Sequence, residues 1–425
     1  MTSRPTSRAG LVAWCLYDWA NSAFPTVVTT FVFAAYFTKG VAADVVSGTA
    51  QWGYAISLSA LSVAIAGPVL GAVADRGGRR KPWILVFTII TIVGSAALWM
   101  VEPDPAFVLT ALIAVAVANF GFEMAMVFYN AMLPDLVAAE RIGRWSGWGW
   151  GLGYAGGLIC LAVALVGLVE TETPWFGLDK SAAEHLRATG PLVAIWMAVF
   201  ALPLLLVTPD RAATGAPFSK ALVGGVTVLL ETLRRWRDYR MVGRFLIARM
   251  IYTDGLNTLF AFGGIYAAGS FGMDFEELIV FGIGINLTAG LGAAAFAWID
   301  DWIGPKRTIL ISVAALICLG GALLVVEGKT LFWVFGLPLG LFVGPAQSAS
   351  RSMMAHMAPV DVRTEMFGLY ALSGKATAFL GPALLAWATE AFASQRAGMA
   401  TIVVFFGLGL VLLLRVPEVP VIVRR

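Results

Sequence analysis

The stretch GAVADRGGRRK, residues 71–81, closes one apolar run of membrane length and turns the chain back toward the next. Asp75 stands where a helix would end, the glycines permit a tight reversal, and Arg79, Arg80 and Lys81 follow. A second stretch, AWIDDWIGPKR at 297–307, repeats this frame, with Asp301 matching Asp75 and Gly304 matching Gly78. A chain that makes the same turn twice invites a search for the rest of a repeat.

Composition sets the class in which the repeat operates. The 425 residues are 59% hydrophobic and 13% charged, against about 25% charged in soluble domains. Runs of about 20 apolar residues, enough for a helix to cross the hydrocarbon core, recur along the chain. They fall near 11–37, 51–74, 82–101, 106–131, 145–168 and 190–208, then 243–268, 277–299, 308–326, 330–349, 366–389 and 396–415. In lipid every backbone polar group must be satisfied internally, and continuous apolar runs select helices over a closed barrel. The expectation is an all-α membrane protein with twelve transmembrane helices and the lipid bilayer as its solvent. The opening MTSRPTSRAG leads directly into the first span, so no cleavable signal peptide is expected. Cys15, Cys160 and Cys318 match no metal or redox spacing and read as small buried packing residues; His185 and His356 read as solvated loop residues. No cofactor or metal is expected.

With both termini placed in the cytoplasm, 22 of the 29 Lys and Arg residues fall on that side, among them the cluster at 76–81, Arg351 and Arg363. Five fall opposite, while Arg249 and Lys375 lie inside spans. This is the positive-inside asymmetry, and the scatter of basic residues over short loops argues against nucleic acid as a partner. The interval 209–242 separates six spans from six, which divides the chain into an N-terminal bundle (1–208), a cytoplasmic linker (209–242) and a C-terminal bundle (243–425). Within the linker Leu222, Val226, Leu229, Leu230 and Leu233 follow helical spacing, and Arg234, Arg235 and Arg237 come after them. That pattern suggests an amphipathic helix on the inner leaflet.

Two further echoes support duplication. Asp18-x-x-Asn21-Ser22 in span 1 answers Asp254-x-x-Asn257-Thr258 in span 7. GRWSGWGWGLGYAGG (143–157) answers TEMFGLYALSGKATA (364–378), which aligns Gly147 with Gly368 and Gly153 with Gly374. Paired bundles with a site at the repeat interface are a recurring transporter plan. GAVADRGGRRK resembles the loop 2–3 signature of the major facilitator superfamily. YDWANSAF, LPDLVAAERIGRWSGWGWGLGYAGG, YTDGLNTLFAFGGIYA and QSASRSMMAHMAPVDVRTEMFGLYALSGKATAFLGP resemble a narrower branch, the vacuole-effluxer (autophagy-related amino-acid exporter) family and its bacterial relatives. The resemblance implies two pseudo-symmetric six-helix bundles in the major facilitator fold, with spans 1, 4, 7 and 10 around a central cavity. Fungal members are implicated in exporting amino acids from the vacuole.

Charges inside spans are the candidate site. A mid-bilayer charge costs about 2.5–3.5 kcal/mol on insertion scales and is rarely retained without a partner or a water-filled cavity. Asp18 with Asn21, and Asp254 with Asn257, share faces at a spacing of three. Asn119, Glu123, Met126 and Asn130 form a polar stripe on span 4; span 10 offers Gln347, Ser348 and Ser350. The expected substrate and proton pathway comprises Asp18, Asn21, Asn119, Glu123, Asn130, Arg249, Asp254, Asn257 and Lys375. Asp18 or Glu123 would carry a coupling proton, with Arg249 as basic counterpart. The expected gate comprises Asp75, Arg76, Gly78, Arg79, Arg80 and Asp301, and the resemblance implies that Asp75 and Arg79 latch the bundles in an outward-open state. Gly147, Gly151, Gly153, Gly157 and Gly290 offer close-approach surfaces for helices that rock against one another.

The expected function is a secondary active transporter, monomeric, in the inner (plasma) membrane of a bacterium. It would move a small polar solute, an amino acid for preference, by alternating access with proton coupling. Export of amphipathic compounds or lipids is the alternative within transport, and a non-transporting sensor the alternative outside it. An enzyme is not expected, because no nucleophile–base or metal constellation is visible; nor is a nucleotide-binding loop present to supply ATP drive.

Overall fold

The computed structural model describes residues 6–215, 225, 227, 231, 234 and 237–418, and among them all regular structure is helical. The chain runs through α1 (Arg8–Val41), α2 (Val45–Gly77), α3 (Lys81–Met100), α4 (Pro105–Leu136), α5 (Ala139–Val169) and α6 (Glu184–Val207). After the linker come α7 (Arg240–Phe271), α8 (Phe275–Ile303), α9 (Pro305–Val325), α10 (Lys329–Met357), α11 in two pieces (Arg363–Ser373 and Leu380–Ala391) and α12 (Gln395–Leu414). Ten of these are long and apolar enough to cross a membrane. The remaining two, α7 and α11, complete the set of twelve. The first half of α7 carries Arg240, Arg244, Arg249 and Asp254, and α11 is interrupted. The amphipathic segment expected at 222–233 lies outside the described residues.

Local chemistry explains where helices stop. α2 ends at Gly78, whose φ of 86° is one that L side chains rarely adopt, and a Cβ there would collide with the Ala212 carbonyl. α8 ends the same way at Gly304, with φ 90°. The break in α11 spans 374–379. Pro382 follows it in the first turn of Leu380–Ala391, a place where a missing N–H costs nothing; within a continuous helix it would orphan the carbonyl four residues back. The expected span 366–389 is therefore two short helices. The expected span 330–349 instead runs on to Met357, through Pro338 and Pro345, and no further Gly or Pro follows Pro345 until Pro359. That extension moves Arg351 and His356 from a supposed loop into α10.

Packing repeats with a shift of six helices. α1 packs on α5 and α6, α3 on α4 and α6, and α2 on α4. Correspondingly α7 packs on α11 and α12, α9 on α10 and α12, and α8 on α10. Outward-facing Tyr54, Leu58, Leu61 and Ile65, one to a turn along α2, are 75%, 64%, 58% and 65% exposed, an apolar stripe that suits contact with lipid. The halves meet chiefly where α2 lies against the first piece of α11, where α5 lies against α8, and where α10 reaches α4 and α5. These contacts gather toward the end where α2 turns into α3 and α8 into α9, called here the basic end.

Small residues permit the close approaches. Gly67 and Gly368 put the backbones of α2 and α11 in contact, and Gly147 sits on Ala293 and Ala297 of α8. Gly151 faces Gly290 and Ala294, while Gly290 packs under Tyr154. Gly153 and Gly157 do not belong to this surface. A Cβ on them would meet Ser22 and Thr26 of α1, so they bring α5 against its own half. Cys318 is exposed, in contrast to buried Cys15 and Cys160.

Backbone-to-backbone packing makes a specific stability difference. A side chain at Gly344 would strike the Ala289 carbonyl, whereas nothing lies within 4 Å of a Cβ at Gly321. Gly344→Leu is expected to destabilise by about 1–3 kcal/mol through overpacking, read as a fall in the midpoint of thermal unfolding in detergent. Gly321→Ala is expected to leave that midpoint unchanged or raise it slightly, since alanine is the better helix former.

Candidate functional site

A cavity of about 340 Å³ lies between the halves, walled by α1, α4 and α5 from one and α7, α10 and α11 from the other. Asp18, Asn21, Glu123, Asn130, Arg249, Asn257 and Lys375 all line it. A larger recess of about 910 Å³ opens at the basic end beside Arg80, Asp135 and Arg211, and its lining does not include Asp18.

The floor of the cavity is an ion pair joining the halves. Arg351 on α10 donates from Nη1 to Asp18 Oδ2 at 2.9 Å and to Asn130 Oδ1 at 3.2 Å. Its Nε and Nη2 donate to the hydroxyl and carbonyl of Ser146 at 2.9 and 2.6 Å, and Tyr129 donates to Asp18 at 2.8 Å. The guanidinium is enclosed by the rings of Trp14, Tyr129 and Trp150, with centroids 5.1–5.7 Å away. A charge pair with side-chain exposures of 1% and 6% is tolerable in a membrane only when its remaining hydrogen-bonding capacity is met, and here α1, α4 and α5 combine to meet it. Gly149 makes the room: a Cβ there would lie 2.5 Å from Asp18 Oδ2 and 2.8 Å from Arg351 Nη2.

A second ion pair crosses the cavity higher up. Lys375, in the break of α11, reaches Glu123 on α4 at 2.7 Å, and both side chains keep appreciable exposure, 32% and 18%. Asn21 donates to the Met126 sulfur at 2.7 Å, and Asn257 donates to the Gly374 carbonyl at 3.5 Å.

Several expected roles shift. Arg249 is not the counterpart of Asp18 or Glu123. It donates to the Tyr370 carbonyl and the Ser373 hydroxyl, each at 2.7 Å, and lies 3.5 Å from the Tyr370 ring centroid, where a cation stabilises the C-terminal end of the first α11 piece. Asn119 donates to Ser59 on α2 at 2.9 Å and holds two helices of one half together outside the cavity lining. Asp254 is 1% exposed and is also absent from the lining; its carboxylate lies beside Thr377, in the break of α11. His356 is half-buried at the end of α10, against the carbonyls of Ser352 and Ala139.

At the basic end each half supplies an acid to a helix start of the other. Asp75 Oδ2 accepts the Thr364 and Glu365 N–H groups at 2.7 and 3.0 Å, and Oδ1 accepts the Thr364 hydroxyl at 2.6 Å. These N–H groups open the first piece of α11 and have no partner within that helix. Asp301 likewise accepts the Arg144 N–H near the start of α5 at 2.9 Å and pairs with the Arg144 side chain at 3.2 Å. The arginine of this network is Arg80, not Arg79. Arg80 is 1% exposed, bonds Thr364 at 2.8 Å and the Ala131 carbonyl at 2.8 Å, and pairs with Asp135. Arg79 and Arg76 are exposed. Arg80 lies in the turn between α2 and α3; burial lowers its pKa from the ordinary guanidinium value and Asp135 opposes that shift. Asp135 also binds Arg211 at 2.8 Å and Arg363 at 2.5 Å.

Asp135 carries no role in the sequence reading, and Arg351 and Arg363 enter it only as cytoplasmic basic residues. Charge counting placed Arg351 in a loop; the unbroken run to Met357 was the signal that it belongs on a helix, one turn beyond Gln347.

The contact between the halves at the basic end separates two adjacent arginines. With the native cysteines replaced, a Ser352→Cys probe on the basic side of Arg351 is expected to be labelled slowly by a maleimide, since Ser352 is fully buried. Asp75→Ala removes a cap across the halves worth about 0.5–2 kcal/mol and is expected to raise the labelling rate several-fold. Arg80→Ala should do the same and Arg79→Ala should leave the rate unchanged; equal effects of the two arginines would reject the assignment.

Comparison with known proteins agrees with this architecture. Residues 41–419 match the family described as vacuole effluxer Atg22 like. A Bacillus subtilis protein described as an uncharacterized MFS-type transporter, YxiO, is 28% identical over 411 residues, covering 96% of this chain and 94% of its own length. Autophagy-related protein 22 of Coccidioides immitis is 23% identical, covering 81% and 68% respectively. Among solved structures, the human organic anion transporter MFSD10 superposes with a TM-score of 0.71 at 13% identity, covering 96% of this chain and all of that one (100%). The E. coli fucose:proton symporter FucP superposes at 0.69 and 14% identity, covering 96% and 98%. With its duplicated helical halves, the cavity between them and a family match over most of its length, the chain belongs to the vacuole effluxer Atg22-like family, of major facilitator transporters.

Proposed function

We propose that the protein moves a small polar solute, an amino acid, through the cavity between its halves by alternating access, and that a proton is coupled to the movement. The observation that carries this reading is the Glu123–Lys375 pair, which spans the two halves at 2.7 Å while remaining partly exposed. A zwitterion offers each member a substitute partner: its ammonium group for Glu123 and its carboxylate for Lys375. A proton taken by the Glu123 carboxylate would also release Lys375, so solute and proton act on the same inter-half contact. Asp18–Arg351, more deeply buried, would part only when the basic end opens.

The basic end is assigned to the cytoplasm by the positive-inside asymmetry, in the inner membrane of a bacterium. The monomer is the proposed working unit, with bundles 1–208 and 243–425 moving about the linker 209–242.

Reconstituted protein tests the reading. Wild type is expected to accumulate amino acids in proteoliposomes when a pH gradient is imposed. Glu123→Gln and Asp18→Asn are each expected to lose at least about tenfold of that accumulation, the equivalent of one charge-assisted hydrogen bond. Full pH-driven accumulation in both variants would exclude proton coupling at these groups, and absence of amino-acid flux in the wild type would exclude the substrate class.

A further inference from the structure

Among the described residues, most acids at the centre of the bundle have a basic partner: Asp18 has Arg351, Glu123 has Lys375, and Asp75 has Arg80. Asp254 forms no such pair. It is 1% exposed, and neither carboxylate oxygen has a hydrogen-bond partner. The Thr377 hydroxyl lies close enough to interact with the carboxylate, although the two are not aligned as a well-formed hydrogen bond. A bare carboxylate in a dry, low-dielectric setting is too costly to persist without a compensating charge.

The surroundings supply oxygens and no cation. Arg249, on the same helix, is turned to the end of the first α11 piece, and Lys375 is turned to Glu123. α12 presents the ring of Phe406 and the Cβ of Phe405 at Gly255, next to Asp254. The break in α11 passes alongside, and the carbonyls of Ser373, at its edge, and Ala376, within it, accept no backbone N–H. Thr258, one turn on from Asp254, donates its hydroxyl hydrogen to the Asp254 carbonyl at 2.7 Å and keeps lone pairs free. Carboxylate, hydroxyl and freed carbonyl oxygens at an unwound helix in mid-membrane are the donors that hold a small hard monovalent cation in transporters built from discontinuous helices.

We propose that Asp254 and Thr377, together with backbone oxygens of the break at 374–379, form a sodium-binding site. The ion neutralises the Asp254 carboxylate and orders the break. Lys375 stands two residues from Thr377 in that same turn, so an ion on one side of the turn sets the position of the ammonium group that meets Glu123 on the other. Ion and solute binding are then linked, each strengthening the other by the same factor. The linkage rests on the transport reading above; the ion site itself does not.

The test uses purified full-length protein without solute, titrated with NaCl against choline chloride at constant ionic strength and pH. Wild type is expected to show a saturable rise of a few degrees in unfolding temperature with sodium alone. Asp254→Asn is expected to abolish the rise. Thr377→Val, which keeps the shape and removes one oxygen, is expected to move half-saturation to about tenfold higher sodium and remains informative if the Asn variant does not fold. Identical responses to sodium and choline, or a sodium response retained in Asp254→Asn, would overturn the site. A difference between wild type and Asp254→Asn that depends on pH and not on sodium would also overturn it, in favour of a proton on Asp254. Because no flux is measured, failure here leaves the transport reading intact, and failure of amino-acid flux leaves the ion site intact.

Discussion

The arrangement of this molecule depends on the burial of one guanidinium. Arg351 and Asp18 belong to opposite halves, 333 positions apart in the chain, and neither can remain in a dry bundle alone. Removing one member of a buried pair typically costs about 3–5 kcal/mol, because the other is left uncompensated. Holding the pair fixes α10 against α1, α4 and α5 at once, and the aromatic enclosure and Gly149 follow from that need. Separation of the halves must hydrate both charges or provide new partners. In the proposed cycle the contact would act as a lock that depends on access to water.

The basic end uses the backbone for the same purpose. The first N–H groups of α11 and the start of α5 lack partners in their own helices, and Asp75 and Asp301 supply them from the opposite half. Water can replace such caps when the contact opens, so the net difference between closed and open is small even though each bond is good. As a latch in the proposed cycle, such caps would favour one state without trapping it. Arg80, Asp135, Arg211 and Arg363 add a charge network around one of the two caps, and this makes the symmetric design unequal in strength.

The same inequality runs through the cavity. Duplication placed an Asp-x-x-Asn element in both α1 and α7, yet the two acids have diverged. Asp18 acquired an arginine and a tyrosine, while Asp254 lies against an interrupted helix with oxygen neighbours. Lys375 occupies the hinge between these environments, since the break that exposes it to Glu123 is the break that borders Asp254. A pseudo-symmetric scaffold can thus carry two different electrostatic tasks at equivalent positions.

Composition, span length and the repeated turn determined that this is a helical membrane protein of two related halves. Those properties follow from the cost of burying polar backbone in lipid, which acts on each segment separately. Periodicity also brought Asp18, Glu123, Asn130 and Asn257 to faces that line the cavity. Tertiary structure alone decided which charge meets which. Partners such as Arg351 for Asp18, Lys375 for Glu123 and Arg80 for Thr364 lie on helices far apart in the chain, and pairing depends on helix rotation and depth to within one residue. Arg79 and Arg80 are neighbours in one turn, yet one is exposed and the other buried, and Asp254 differs from Asp18 by what the neighbouring helix presents. Spacing along one helix carries no information about the face of another, so the identity of each pair had to come from the fold.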